Sequence, residues 1–199
     1  MNIRPIATGV AVLAAVAVIA GCSDSTDSSP HSGHDMSSMS APASANTSRP
    51  AHNAADVMFA QMMIPHHRQA VTMSEILLAK QGVPSDVRTL ATSIKGAQAP
   101  EVEQLTGWLT EWGEPTQTEM SDHRMDGMVS EADLTRLEDA VGAEAAALYL
   151  RQMIGHHEGA VDMAKTEIAN GENTDAVAMA HSIVATQQKE IDRMRTMLE

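Results

Sequence analysis

Met63-Ile64-Pro65-His66-His67, followed by Ala70-Val71 and Met73, recurs as Met153-Ile154-Gly155-His156-His157, followed by Ala160-Val161 and Met163. Phe59 and Tyr149 hold the same place upstream. Further on, Ile94, Gln98, Glu101, Val102, Leu105 and Trp108-Leu109 answer to Ile183, Gln187, Glu190, Ile191, Met194 and Met197-Leu198. The sequence between these echoes differs almost completely. The chain therefore contains two diverged copies of one unit, and each copy has kept a His-His pair flanked by thioethers. Imidazole beside thioether points to a metal ion first.

Each copy carries the period of a helical hairpin. Phe59, Met63, His66, Ala70, Met73 and Leu77 fall on one stripe of residues 56–80, at alternating three- and four-residue steps. Gly82-Val83-Pro84-Ser85 breaks that helix, with Ser85 or Asp86 expected to cap the next one. Val87, Leu90, Ile94, Gln98, Glu101, Leu105 and Trp108 give a second stripe over 86–112, ended by Gly113 and Pro115. Ser130 to Ala140 predicts a short helix, with Ser130 and Asp133 as a loose capping box. The second hairpin is expected from about Ala143 to Asn170, with a turn at Gly171-Glu172-Asn173 and a last helix from Thr174 onward. Two hairpins with one apolar stripe each must bury those stripes against each other. The expected fold is all-α, a four-helix bundle of two repeated hairpins, about 56–112 and 143–199, joined by a Met- and His-containing connector, 113–142.

Polar residues inside the stripes mark the candidate site. Antiparallel helices share one rise per residue, so His66 should lie level with Gln98 and Glu101, and His156 with Gln187 and Glu190. A carboxylate in a bundle core is costly unless paired or metal-bound, and imidazole is its natural partner here. Neighbouring helical residues point about 100° apart. His66 and His156 are thus expected at the centre of the stripe, and His67 and His157 at its edge, one turn from Met63 and Met153. Pro65 and Gly155 both weaken a helix and could re-aim the rings through a kink. The candidate metal ligands are Met63, His66, His67, Met153, His156 and His157. Gln98, Glu101, Gln187, Glu190, Met73 and Met163 are candidate supporting groups or further ligands. His52 and His181 have no matched partner and are expected at the surface.

Composition and the N-terminal region bound the setting. Aromatic residues make up 2% of the 199-residue chain, so the core rests on aliphatic residues and 15 Met. A formal charge of −13 repels phosphate backbones and draws cations, which argues against nucleic acid as a partner. One cysteine, Cys22, allows no internal disulfide and no thiolate cluster. Ile6 to Ala20 is an apolar run suited to a secretory segment, predicting a signal peptide over 1–21. Ile19-Ala20-Gly21-Cys22 resembles the bacterial lipobox, which implies a lipidated Cys22 that holds the exported protein on the outer side of a cell membrane. Residues 22–55 are rich in Ser, Ala, Pro, Asp and Asn without an apolar period and predict a disordered tether. Within it His31, His34, Met36 and Met39 share the spacing H-x-M-x-x-M with His123, Met125 and Met128 of the connector, where Met120 precedes them. Soft thioether and imidazole ligands on solvated strings suit capture of Cu(I).

The twice-written Met-Ile-x-His-His-x-x-Ala-Val-x-Met, with its Gln-x-x-Glu echo and the Gly127-Met128 pair before the second unit, resembles the ferritin-like family called domain of unknown function 305. The likeness spans roughly 56–199 and implies a helical bundle, export and, in some members, copper binding. The expected function is binding of copper, or silver, for buffering, delivery or resistance outside the cytoplasmic membrane. Two other readings stand beside it. One is a metal-free bundle that docks an unidentified envelope protein through adaptable Met-rich faces. The other is a di-iron oxidase, which needs Glu-x-x-His motifs that this chain lacks. No nucleophile–base pair or phosphate-cradling Gly loop is present, so no enzymatic reaction is assigned.

Overall fold

The computed structural model describes residues 51–116 and 126–199. The described residues form five helices: α1 (Ala54–Leu78), α2 (Ser85–Trp112), α3 (Glu131–Asp139), α4 (Gly142–Asn170) and α5 (Thr174–Met197). No strand occurs among the described residues, and no helix there is long and apolar enough to cross a membrane. The signal peptide, Cys22, the tether up to Pro50 and connector residues Met120, His123 and Met125 lie outside the described residues.

Helix α1 starts at Ala54, two residues before the expected boundary, because Asn53 and Asp56 form a complete capping box. Asn53 accepts from the amides of Ala55 and Asp56, and Asp56 accepts from the Asn53 amide at 2.6 Å. The cap holds the end of the expected tether against the fold: His52 stacks on Trp112 at 4.8 Å, and Ala51 accepts from the Asn173 side chain. His52 is therefore a packed residue rather than a free surface one, whereas His181 is exposed as expected. Neither Ser85 nor Asp86 caps α2. Pro84 takes that place without a side-chain bond, its fixed φ suiting the position. Arg88 reaches back instead to the Lys80 and Leu78 carbonyls and closes the end of α1. Ser130 caps α3 and bonds Asp133 as the sequence suggests.

Helices α1 and α4 are the inner pair; α2 packs on α1, and α5 on α4. The buried apolar residues form two clusters. One joins the α1–α2 turn to the start of α4 and the end of α5, through Met73, Leu77, Leu90, Ile94, Tyr149, Met153, Ile191 and Met194. The other joins Phe59, Met63, Leu105, Trp108 and Trp112 to Ala164, Met179 and Ile183. The inner helices are thus antiparallel, and each cluster seals one end of the bundle. The two ends are variations on one contact. Tyr149 Oη and Ser74 Oγ lie 2.9 Å apart, both buried, linking α4 to α1. At the equivalent places in the repeat stand Phe59 and Ala164, in the other cluster. The hydroxyl is present on both partners or on neither, so no buried hydroxyl is orphaned.

Asp56 also accepts from the amides of Glu172 and Asn173, fastening the start of α1 to the α4–α5 turn. Burial alone would raise its pKa, but these amides, with that of Asn53 and the neighbouring Glu167 carboxyl, hold it below the ordinary value. Glu167 is itself buried; desolvation and Asp56 push it up to about 8, so it stands protonated beside an ionised partner. Its folded pKa lies above its unfolded one. The contribution of the Glu167 proton to stability is complete below about pH 4.5 and is lost as pH rises through about 8, whereas the contribution of the ionised Asp56 is lost in acid. Glu167→Gln, which keeps a donor without the titration, is expected to flatten the decline of melting temperature between pH 5 and 8.5. An identical pH profile in wild type and variant would contradict the assignment.

Candidate metal centre

Between the two apolar clusters lies a polar layer. His66, His67, His156 and His157 are each at most 1% exposed, and Gln98 and Gln187 are each 3% exposed. The sequence placed His67 and His157 at the edge of a single stripe; the structure buries all four rings. The physical reason is that an inner helix is covered on two sides. Residues 100° apart on α1 can face α4 and α2 respectively. His66 meets His156 across the α1–α4 contact, with ring centroids 3.8 Å apart and planes inclined by 40°. His67 faces α2, its Nε2 lying 2.9 Å from Glu101 Oε2. His157 faces α5 and shares a 2.8 Å hydrogen bond with Glu190 through Nε2.

This pairing corrects two expectations. Glu101 and Glu190 contact His67 and His157, not His66 and His156, and they sit at the rim, with side chains 26% and 15% exposed. The histidines form one cluster across the repeat boundary instead of one site per hairpin. The two halves match closely. The ring separation is 6.5 Å within the first His-His pair and 6.3 Å within the second, at angles of 55° and 53°. Helices α1 and α4 continue through Pro65 and Gly155, and α2 continues through Pro100.

The electrostatics favour neutral imidazole. Desolvation, reinforced by the neighbouring imidazoles of His67 and His157, lowers His66 to about 3, with the Asp126 backbone opposing only weakly. Burial and the surrounding imidazoles hold His156 well below its ordinary value. Both nitrogens of His66, of His67 and of His156, Nδ1 of His157, and Oε1 of Gln98 and of Gln187 have no partner with hydrogen-bond geometry. When Nε2–H of His157 donates to its carboxylate, the Nδ1 lone pair is the one left over; His67 only sets its Nε2 2.9 Å from Glu101, without hydrogen-bond geometry. A buried polar atom without a partner costs on the order of 1–3 kcal/mol. A layer with this many is poorly explained as core packing and well explained as a set of donors for a ligand. One turn before the histidines stand Met63 and Met153, both fully buried, in the two clusters that border the layer. Met73 is also fully buried, and Met163 is half-buried against the second cluster. Among the described residues, no three His, Cys, Asp or Glu side chains already converge on a point as a metal cage. The His66 and His156 rings, tilted against each other, would have to turn to share an ion. Their donor chemistry, neutral imidazole with thioether at hand, fits a soft cation.

One supporting element escaped the sequence reading. The connector ends by pressing Gly127 against α4. A Cβ on Gly127 would come within 2.9 Å of the Gly155 carbonyl oxygen and the Gly159 Cα, and one on Gly159 would strike the Asp126 carbonyl. Gly127 also has φ of 85°, which favours glycine. Val129 is tied to α1 by two hydrogen bonds with the Gln69 side chain. The strap thus crosses the backbone at His156, with half-buried Met128 in it. The signal was present in Gly155-His-His-Glu-Gly159, where two glycines one turn apart flatten a helix face for close approach.

The sequence profile of the family described as "Domain of unknown function (DUF305)" matches residues 56–198. Among solved structures, a candidate secreted DUF305 protein from Streptomyces coelicolor is 34% identical, with a TM-score of 0.69, over 72% of this chain and 91% of its own. A DUF305 fragment from Deinococcus radiodurans is 33% identical, with a TM-score of 0.68, over 75% of this chain and 98% of its own. CopM in its Cu(I)-bound form is 28% identical, with a TM-score of 0.60, over 71% of this chain and 93% of its own. CopM has also been solved in Cu(II)-bound, Ag-bound and apo forms. No curated protein matches the chain.

Unpartnered imidazoles make a direct stability prediction. In protein freed of metal, His66→Leu with His156→Leu is expected to raise the melting temperature, since each change removes a buried polar group worth about 1–3 kcal/mol. A marked fall in melting temperature would mean that the rings are already satisfied and that the layer is ordinary core.

Proposed function

The chain belongs to the DUF305 family, and from that premise we propose that it binds copper or silver as cargo in its buried histidine layer, on the outer side of a cell membrane. The observation that carries this reading is the concentration of partnerless imidazole nitrogens, bordered by Met63 and Met153, at the junction of the two repeats. Likeness to CopM, solved with Cu(I), Cu(II) and Ag, supports the choice of ion.

Each group has a part in holding such an ion. His66 and His156 are neutral at ordinary pH and offer lone pairs without first losing a proton. Glu101 and Glu190 orient His67 and His157 from the rim and offset the positive charge. Thioether and imidazole favour Cu(I) and Ag(I) over harder ions. Gln98 and Gln187 bring two carbonyl oxygens, suited to orienting a ring once it turns toward the ion. A lipidated Cys22 would anchor the protein, and the strings His31, His34, Met36, Met39 of the tether and Met120, His123, Met125, Met128 of the connector would collect ions for buffering, delivery or resistance. A di-iron oxidase is disfavoured, because its carboxylates should converge, whereas Glu101 and Glu190 contact different rings from different helices, α2 and α5.

The mature protein, under reducing conditions, is expected to bind Cu(I) or Ag(I) in preference to Fe(II). With the tether strings removed, fewer ions should bind and the folded site should remain. His66→Ala with His156→Ala in that shortened form should weaken Ag(I) binding by at least about 100-fold, the scale of losing ligands rather than their supports. Unchanged Ag(I) titration of that double variant would overturn the site and favour the metal-free bundle.

A further inference from the structure

Resting on the reading of the histidine layer as a cation site, we propose that ions reach and leave it through the groove between α2 and α5, with Glu101 as the carboxylate at its inner end. The two outer helices barely approach each other and leave a groove of about 290 Å³ between them. It is lined by Glu101 and Gln104 from α2 and by Asp175, Ala178, Met179 and Ser182 from α5. The α5 residues recur at three- and four-residue steps, so one face of that helix looks into the groove. Two carboxylates and a thioether line it, and no cationic side chain does.

A groove with acidic walls would carry no argument alone. What marks this one is the group behind it. Glu101 lies in the groove wall and within 2.9 Å of His67 Nε2, while the His67 ring is fully buried and its Nδ1 has no partner. Glu101 therefore touches both the groove and the buried layer. It is also the most exposed of the acids and imidazoles that make up the site, at 26% against 15% for Glu190.

The internal repeat supplies a control built into the molecule. Aligning Glu101 with Glu190 places Gln104 opposite Arg193, Met179 opposite Leu90 and Asp175 opposite Asp86. The matching positions around Glu190 thus hold a guanidinium in place of an amide and no thioether. A cation is repelled there and finds no soft donor along the way. Near-identical histidine geometry on the two sides is therefore served by unequal approaches. The Glu101 side is the port, and the Glu190 side is closed.

Stopped-flow transfer of Cu(I) between the full chain and a chromophoric chelator tests this under reducing conditions. The phase belonging to the layer is the one removed by His66→Ala with His156→Ala. Asp175→Lys is expected to slow that phase about 10-fold in both directions, and Met179→Leu about 3-fold, with the equilibrium affinity changed less than about twofold. Asp86→Lys, the same change in the first turn of the equivalent helix, should leave both rates within about twofold of wild type. Equal slowing by the two lysine variants, or no slowing by either Asp175→Lys or Met179→Leu, overturns the port while leaving the site. A wild-type protein that lacks the phase altogether overturns the site and the port with it.

Discussion

Everything in this bundle is arranged around the contact of two buried imidazoles, His66 and His156, across the antiparallel inner helices. Polar rings at the centre of a small core are expensive, since each lacks the partners that water would give it. The fold accommodates them by dividing its apolar residues into two clusters, one at each end, with the layer between. That division also fixes register. Sliding α4 along α1 would break the ring contact and push imidazole into aliphatic surroundings. The ends are fastened separately, by the Asp56 carboxylate on the α4–α5 turn and by the Tyr149–Ser74 hydroxyl pair. The polar centre is thus held by contacts that do not depend on its own stability.

Adjacent histidines acquire distinct duties from this geometry. In each repeat the first ring turns to the other inner helix and the second to its own outer helix. The second ring meets a carboxylate at the rim, at 2.9 Å for His67 and through a 2.8 Å hydrogen bond for His157; the first faces its symmetry mate across the inner helices. A His-His dipeptide on a helix covered from two sides is therefore a compact way to build a cluster from two copies of one unit. Among the described residues no three His, Cys, Asp or Glu side chains converge on one point, so rings would have to turn for an ion to be shared.

Much of the fold was legible. Helical period, breakers at Gly82–Ser85 and Gly171–Asn173, and the repeat itself led to two hairpins with boundaries within about two residues. The candidate site was legible as a set of residues but not as a pairing. Rise-per-residue arithmetic finds which residues share a height; it does not say which side of the inner helix each neighbour covers. That is why Glu101 was assigned to His66 instead of His67, and why one cluster was read as two sites. Contacts carried by backbone and turns were less legible still. Gly127 on Gly159, Arg88 on the end of α1 and His52 on Trp112 arise from loops whose course no periodicity encodes.

The most direct measurement of the central claim is anomalous diffraction from crystals of the bundle grown with Ag(I). The account predicts a peak at the junction of α1 and α4, within bonding distance of nitrogen from His66 or His156 and of at least one flanking imidazole or thioether. It also predicts that the two rings have turned apart around the ion. Full occupancy of surface sites, with His66 and His156 still in direct ring contact and no density between the repeats, would contradict it.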